Sequence, residues 1–317
     1  MSVPRSSSCS RLQLNSHTRS PVKTFANPQL PENPKSKNSV LFNGELQDPD
    51  ESLVPAVSEA VLYGRGVFTT VRITPGGLFE WNRHVARLKS DSKSIGMRVR
   101  DGLDLPAPDD ILGLASLNGV REGKARVSIF DASSSSRWSG DSRSSIAVLV
   151  QAQSLVRTEE LLSITDSPFT VNERSPLASV KSCNYLQPVL AIQESNLRGF
   201  DEAVRCNSAG VVAGCCYSNI FWISSETGAL RTPSLATGCL PGTTRSYVLE
   251  AFDVDEVIVP YKQFVDDAES AFVTSSVKGV SVVARIGAKK MLDRLPEEIE
   301  EFRIRSGLYP LADKTSS

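Results

Sequence analysis

Histidine is almost absent from this chain of 317 residues, which contains only His17 and His84. A serine–histidine–aspartate triad needs a histidine as its base, and zinc sites that use histidine commonly take two or three of them. His17 falls in a polar N-terminal stretch, so His84 alone lies in a segment patterned for folded structure. A histidine-based triad and a multi-histidine metal centre are therefore excluded, and we predict no metal site.

The chain also lacks an excess of either charge and lacks long apolar runs. Its 35 Lys and Arg residues nearly balance 36 Asp and Glu residues, for a net charge of −1 at pH 7. This balance gives no electrostatic case for binding nucleic acid or an anionic membrane surface. No uninterrupted apolar run approaches the roughly 20 residues that a membrane-spanning helix needs. We predict a soluble, cytoplasmic protein with no nucleic-acid or membrane partner.

The six cysteines show no C-x-x-C pair, the spacing that is typical of zinc sites. Cys215 and Cys216 are adjacent, which suits neither a metal site nor an ordinary disulfide. We therefore interpret the cysteines as reduced, buried thiols in a cytosolic type of compartment.

Residues 1–37 lack apolar periodicity and contain a single acidic residue, Glu32, among many Ser, Pro, Asn and Arg residues. This composition predicts a disordered tail. A basic, Ser-rich and acid-poor segment also fits an organelle transit peptide. A plain tail or a start codon placed too early fits equally, so an organelle remains the alternative to the cytoplasm.

From Ser39 onward, short strands are mixed with a few helices. We predict strands over Val67–Thr74 and Leu78–Trp81, joined at a Pro-Gly-Gly turn, then a helix that Asn82 caps and that ends near Gly96. Further strands are predicted over residues 39–42, 125–130, 145–150, 163–165, 202–206, 211–212, 219–223, 256–259 and 270–274. Helices are predicted after Lys181 and over residues 242–252. This mixture, without regular βαβ alternation, is typical of the α+β class.

The same pattern divides the chain into segments. We predict a small α/β domain over residues 38–152, a linker over 153–160 and a large domain over 161–300, followed by a C-terminal tail over 301–317. A Ser-rich loop over residues 132–144 interrupts the small domain.

Lys181 lies in the sequence VKSCNYL (180–186), between a Pro-containing extended segment and an amphipathic helix. A small and apolar setting is a poor place for a cation unless the amine has a chemical task. Desolvation lowers the pKa of a lysine, and the neutral amine can then form a Schiff base. Most lysines in such settings instead extend their amine to the surface.

Four other segments complete a set of motifs in a fixed order. They are YGRGVFTTVR (63–72) with HVARL (84–88), GCCYSNIFW (214–222), TP (232–233) with GCLPGTTR (238–245), and TSS (274–276). With VKSCNYL, these motifs make the region from about Val40 to Val283 resemble the class IV aminotransferase family. Its members are fold-type IV enzymes that use pyridoxal 5′-phosphate (PLP), and they include branched-chain aminotransferases, D-amino acid aminotransferases and 4-amino-4-deoxychorismate lyases.

The resemblance implies roles for the matching residues. Arg87 of the H-x-x-R-L motif is expected to bind the cofactor phosphate, as a guanidinium fork can do bidentately. Lys181 is expected to form the Schiff base with the cofactor and to move protons at the substrate carbon next to nitrogen. Tyr185 is expected to hydrogen-bond the phenolic oxygen of the cofactor.

The remaining cofactor contacts follow the later motifs. The turn that contains Leu240 leads into a helix, whose first residues Thr243 and Thr244 are expected to hold the phosphate. Thr274 matches the cofactor-side loop that comes last in the family. Taken singly, each position has a simpler interpretation: Arg87 as a solvated charge, Tyr185 as a packed side chain, and Thr243 as part of an ordinary helix start. We expect His84 to be structural and to bond nearby backbone.

The sequence departs from the family at Gly214, where the family usually has a glutamate that keeps the pyridine nitrogen protonated. No acidic residue between Glu202 and Glu226 is available to replace it in the same loop. A water molecule, Cys215 or a remote carboxylate could substitute. A neutral pyridine is a weaker electron sink, which argues against full transamination.

Thr69-Thr70 discriminates among the activities of the family. Its transaminases commonly have glutamate at the first of these positions, whereas its lyases often read F-T-T-x-R, as residues 68–72 do. A Thr70 hydroxyl that faces the substrate could protonate a departing enolpyruvyl group. The first hypothesis is therefore 4-amino-4-deoxychorismate lyase, which releases p-aminobenzoate and pyruvate for folate synthesis. A branched-chain or D-amino acid aminotransferase is the second, and a non-catalytic relative is the third.

The resemblance also implies an architecture. We expect an α+β protein of fold-type IV, with a small α/β domain, a larger domain that contains a β-barrel, and the cofactor between them. The family usually forms homodimers, so we expect a homodimer that acts on a small amino substrate.

Overall fold

The computed structural model describes residues 38–97, 105–134, 145–155 and 161–307. The predicted tail over residues 1–37 lies outside the described residues, as do residues 135–144 of the predicted Ser-rich loop, 156–160 of the predicted linker and 308–317 of the predicted C-terminal tail.

The described residues form fifteen strands, seven α-helices and one short 3-10 helix. The strands are β1 (Val40–Phe42), β2 (Glu45–Gln47), β3 (Gly66–Thr74), β4 (Gly77–Leu78), β5 (Gly123–Asp131), β6 (Ile146–Ser154), β7 (Leu161–Asp166), β8 (Glu202–Cys206), β9 (Val212–Cys215), β10 (Asn219–Ser224), β11 (Leu230–Pro233), β12 (Val254–Val257), β13 (Ala268–Ser275), β14 (Gly279–Ile286) and β15 (Lys289–Lys290). The helices are α1 (Glu59–Tyr63), α2 (Trp81–Ser94), α3 (Pro108–Leu117), α4 (Leu186–Leu197), α5 (Thr243–Ala251), α6 (Tyr261–Asp267) and α7 (Glu297–Arg305), and the 3-10 helix spans Leu235–Thr237.

The first sheet is antiparallel, with the strand order β2-β1-β6-β5-β3-β4. One face packs against α2 and α3 through apolar side chains that include Val67 and Val71 of β3, Leu88 of α2 and Ile111 of α3. Side chains alternate between the faces of a strand, so Phe68 and Thr70 of β3 project from the opposite face.

The second sheet has nine strands and is curled into a half-barrel. Its main path runs β12-β11-β10-β13-β14-β7-β8-β9, with parallel pairs at β11/β12, β14/β7 and β7/β8. Two apolar clusters lie on it: Trp222 and Phe264 belong to one, and Phe221 and Phe272 belong to the other, which α5 and α7 also join. The predicted α+β class is confirmed, and the predicted barrel is this curled sheet.

The segment Lys181–Cys183 lies antiparallel to the start of β3 and so attaches the stretch of chain between β7 and α4 to the first sheet. Phe68 N donates to Lys181 O over 2.9 Å, and Cys183 N donates to Gly66 O over 2.7 Å. A Cβ atom on Gly66 would lie 2.8 Å from Phe130 Cβ and 3.0 Å from Cys183 Sγ. This close approach requires glycine, and it fixes Lys181 beside Phe68.

The start of α2 differs from the prediction. The predicted strand Leu78–Trp81 is wrong, because β4 ends at Leu78 and α2 begins at Trp81. Asn82 is not the cap: the N-cap residue is Glu80, in the left-handed region at φ 50°, and its carboxylate accepts from Arg83 Nε over 2.6 Å. Trp81 is buried in the core of the first sheet, and this burial favours an early helix start.

Most other predicted elements are present, with ends shifted by a few residues. Helix α7 runs across residue 300, the predicted boundary between the large domain and the C-terminal tail. Within the described part of the chain, no helix is both long and apolar enough to cross a lipid bilayer.

Candidate active site

The Lys181 amine lies among aromatic rings where the two sheets meet. Its Nζ donates to Tyr185 Oη over 3.2 Å and sits 4.5 Å from the ring centroids of both Phe68 and Tyr185. Tyr185 Oη in turn donates to Cys216 O over 3.3 Å. The backbone N of Lys181 donates to Asp91 Oδ2 over 3.1 Å, which ties the residue to α2. These contacts hold the amine in place without pairing it with a carboxylate.

Burial lowers the pKa of the Lys181 amine to about 7. The positive charges of Arg87 and Arg126 lower the same pKa further, and the negative charge of Asp91 opposes them. Burial also raises the pKa of the Tyr185 phenol above its usual range, so its hydroxyl stays protonated beside the amine. A neutral Lys181 amine near neutral pH is a competent nucleophile and proton acceptor.

The lowered pKa gives a testable pH dependence. Below about pH 7 the amine is protonated and cannot attack an aldehyde, and above that pH it is neutral. We expect the rate at which Lys181 of the cofactor-free protein is modified by an aldehyde to rise with pH, with its midpoint near 7. A lysine-containing peptide, with the ordinary lysine pKa of about 10.4, serves as the comparison. A Lys181 midpoint at the peptide value, measured by mass spectrometry after borohydride reduction, would contradict this assignment.

A hydrogen-bond network joins α2, β3 and the start of α5. Arg87 Nη2 donates to Thr69 Oγ1 over 2.7 Å, and Thr69 Oγ1 lies 2.6 Å from His84 Nδ1. His84 Nε2 lies 3.4 Å from Thr243 Oγ1, which lies 2.6 Å from Ser276 Oγ. The network therefore connects Arg87 to the first residue of α5 through a single imidazole ring.

The imidazole of His84 is neutral in this network. Burial lowers its pKa to about 3, and the charges of Arg87 and Lys181 act in the same direction. The Thr69 hydroxyl accepts from Arg87 and can donate to Nδ1, which leaves the Nε2 proton directed at Thr243. His84 thus positions two threonine hydroxyls, whereas the expectation from the sequence was a bond to nearby backbone.

The residues around this network fit a phosphate group. Arg87 Nε, Thr244 Oγ1 and Thr274 Oγ1 are buried without a hydrogen-bond partner. No carboxylate among the described residues lies within 4.0 Å of the Arg87 guanidinium, although burial lowers the pKa of that cation. The first N–H groups of α5 lack helical partners and favour an anion. A bound phosphate would provide the acceptors that these donors lack.

A second cation faces the amine from β5. The Arg126 guanidinium lies 3.6 Å from the centroid of the Phe68 ring, and Arg126 is the cross-strand partner of Thr70. The Thr70 side chain is half-buried and has no hydrogen-bond partner among the described residues. Sequence reasoning missed Arg126, although a charged residue within the apolar run of β5 was a usable signal.

The loop that contains Gly214 lines a cavity of about 240 Å³ together with Tyr185, Leu240 and Arg205. None of the described residues that line this cavity is acidic. Glu202, also missed by sequence reasoning, is buried on β8, and its carboxylate accepts from Cys216 N over 2.9 Å and from Ser218 Oγ over 3.3 Å. It supports the loop and does not line the cavity. Burial raises the pKa of the Cys215 thiol well above its usual range, so Cys215 supplies no anion either.

The structure therefore brings most of the predicted site residues into two neighbouring groups. Arg87, Thr243, Thr244 and Thr274 belong to the segments around the start of α5, whereas Lys181 and Tyr185 lie at the junction of the sheets. Tyr185 and Leu240 both line the cavity in front of Gly214. The Leu240 carbonyl accepts a hydrogen bond from Asn219 Nδ2 over 2.8 Å.

Comparison with known proteins gives a consistent result. A family model described as "Amino-transferase class IV" matches residues 66–286. The chain is 27% identical over 217 residues to the aminodeoxychorismate lyase of Bacillus subtilis, with 67% of this chain and 72% of that protein covered. It is also 27% identical over 275 residues to the branched-chain-amino-acid aminotransferase of Pseudomonas aeruginosa, with coverages of 80% and 86%. Most of the curated relatives carry branched-chain aminotransferase names.

A solved structure shares the fold. The branched-chain aminotransferase of Thermoproteus uzoniensis superimposes with a TM-score of 0.73 at 24% identity, over 85% of this chain and 95% of that chain.

Proposed function

This chain belongs to the class IV aminotransferase family, and we propose that it is the lyase of that family that converts 4-amino-4-deoxychorismate to p-aminobenzoate and pyruvate. The family depends on PLP. When bound, this cofactor supplies an electrophilic carbon for the substrate amine and a ring that accepts electrons from the neighbouring carbon. Arg87, Thr243, Thr244 and Thr274 would hold its phosphate, Lys181 its aldehyde carbon, and Tyr185 and Leu240 its ring.

The observation that carries the proposal is that no acidic residue lines the described cavity beside Tyr185 and Gly214. These lining residues would offer the ring nitrogen of a bound cofactor no carboxylate to keep it protonated, so the cofactor would withdraw electrons less strongly. Elimination of an enolpyruvyl group is assisted by aromatisation of the substrate ring. Such a reaction demands less electron withdrawal than complete transamination does.

Lys181 and Thr70 would carry out the two proton transfers of this reaction. The neutral Lys181 amine takes the proton from the substrate carbon that carries the nitrogen. The bond between the neighbouring ring carbon and the enolpyruvyl oxygen then breaks, and Thr70, on the Phe68 face of β3, donates a proton to the departing group. Arg126 has no carboxylate within 4.0 Å among the described residues and would bind a carboxylate of the substrate.

Thr70 and its neighbour Thr69 provide a paired test of these roles. Thr70→Val is expected to lower kcat by about a hundredfold or more, because it removes a proton donor and leaves the shape unchanged. Its affinity for PLP should stay unchanged. Thr69→Val should do the opposite and mainly weaken PLP binding, because the Thr69 hydroxyl positions Arg87 and His84. Unchanged turnover in Thr70→Val, measured by p-aminobenzoate release, would remove the proposed role.

An aminotransferase is the second candidate, favoured by the names of most relatives. Such an enzyme would convert 2-oxoglutarate to glutamate in the presence of an amino acid donor. Assays of glutamate and p-aminobenzoate formation by the same purified protein distinguish the two activities. A non-catalytic relative would form neither product.

We also propose that the enzyme is a cytoplasmic homodimer whose p-aminobenzoate enters folate synthesis. Light scattering on the purified protein tests the dimer, and a monomer at working concentration would contradict it.

A further inference from the structure

Arg205 lies on β8 directly opposite Gly214 on β9, and both residues line the cavity in front of Tyr185. Cross-strand partners project from the same face of a sheet. A Cβ atom on Gly214 would lie 3.6 Å from Ser218 O and 4.0 Å from Cys239 Cβ, at ordinary contact distances, so no neighbouring atom occupies the place of a side chain at position 214. The cavity therefore has a cation on the side where Gly214 provides no side chain.

The Arg205 guanidinium is buried and only partly satisfied. The residue is 7% exposed; Nη2 donates to Gln187 Oε1 over 2.8 Å and to Thr170 O over 3.2 Å, and Nε donates to Phe169 O over 3.4 Å. Nη1 makes no hydrogen bond to the described residues and is not fully enclosed by protein. No described carboxylate lies within 4.0 Å of the guanidinium. A guanidinium with three hydrogen bonds to protein and one accessible donor can offer that donor to an acceptor in the cavity.

The positions of Lys181 and of the start of α5 indicate which acceptor on the cofactor Arg205 Nη1 would meet. Lys181 holds the aldehyde carbon and the start of α5 holds the phosphate in the proposed function, on which this inference rests. In PLP the ring nitrogen is at the opposite end of the ring from the aldehyde carbon. Tyr185, whose Oη accepts from Lys181 Nζ over 3.2 Å, also lines the cavity together with Leu240 and Gly214, so the proposed function would place that end of the ring at this cavity.

We infer that Arg205 donates a hydrogen bond from Nη1 to the ring nitrogen of the cofactor and thereby holds this nitrogen unprotonated. A nearby cation disfavours a second positive charge, and only an unprotonated pyridine nitrogen can accept a hydrogen bond. Neither Glu202, whose carboxylate is bonded to the loop at Cys216 and Ser218, nor the protonated Cys215 thiol counteracts this cation. Arg205 is then the residue that limits electron withdrawal and favours elimination over transamination.

A cofactor analogue in which a C–H group replaces the ring nitrogen tests the hydrogen bond directly. The wild-type protein should bind PLP about tenfold to a hundredfold more tightly than this carbocyclic analogue, as expected for one hydrogen bond to a charged group. Arg205→Met should bring the ratio of the two dissociation constants close to one, and Arg205→Lys should keep part of the preference. Arg198→Met, at the exposed end of α4, is the control and should keep the full ratio.

A second measurement does not depend on any variant. The ¹⁵N chemical shift of ring-labelled PLP in the wild-type holoprotein should be that of an unprotonated, hydrogen-bonded pyridine from pH 6 to pH 8. A pyridinium shift, or equal wild-type affinities for PLP and the analogue, would overturn the inference even if borohydride attaches PLP to Lys181. If PLP is not attached to Lys181 at all, the proposed function fails together with this inference.

Discussion

Replacing Lys181 with methionine is expected to lower turnover by roughly four orders of magnitude or more, close to the background of the assay. The same amine is expected to attach the cofactor and to move the substrate proton, so one change removes both contributions. Methionine fills the space of the lysine stem beside Phe68 and Tyr185, and burial of a cation no longer opposes folding. Thermal unfolding of the cofactor-free variant should therefore begin at no lower temperature than in the wild type.

Lys89→Met is the matched control for this change. Lys89 is exposed on α2, so its replacement should leave turnover and cofactor attachment unchanged. Kinetics of p-aminobenzoate release and the mass of the borohydride-reduced protein provide the two readouts. Retention of more than a few per cent of the activity in Lys181→Met would exclude Lys181 as the central residue.

Replacing Arg87 with methionine is expected to weaken PLP binding by about a hundredfold or more. The guanidinium has a buried Nε without a partner and is linked to the start of α5 through Thr69 and His84, and charge-assisted hydrogen bonds to a phosphate are among the strong ones. Because no described carboxylate pairs with Arg87, the cofactor-free variant should be about as stable as the wild type. Titration with PLP, followed by absorbance, measures the dissociation constant.

Arg83, one turn earlier on the same helix, provides the control for Arg87. Its guanidinium is partly exposed and donates to Glu250 over 2.6 Å and to Glu80 over 2.6 Å. Arg83→Met should cost some stability and leave the PLP dissociation constant unchanged. Equal losses of PLP affinity in both variants would mean that Arg87 acts through the helix and does not bind the phosphate.

Local sequence patterns were sufficient for much of the fold and for the motif residues. Turn residues such as Pro75 and alternating apolar residues in β3 and β5 are local signals, and they located those strands to within a few residues. The start of α2 was missed because Glu80 adopts a left-handed conformation, which is uncommon for residues other than glycine and which no local pattern signals.

Other features of the site depend on contacts between distant parts of the chain. His84 meets Thr243 across 159 positions, and no local pattern contains that pairing. The opposition of Arg205 and Gly214 follows from the register of β8 and β9, which includes an irregularity that a sequence does not reveal. Glu202 was visible as an acidic residue, but only the fold shows its carboxylate against the loop at Cys216.

The most direct test of the proposed lyase is product analysis with the purified holoprotein. The protein is incubated with 4-amino-4-deoxychorismate alone, and in parallel with branched-chain amino acids plus 2-oxoglutarate. We expect p-aminobenzoate and pyruvate in equal amounts from the first reaction and no glutamate above background from the second. Glutamate formation without p-aminobenzoate would contradict the lyase and assign the site to transamination.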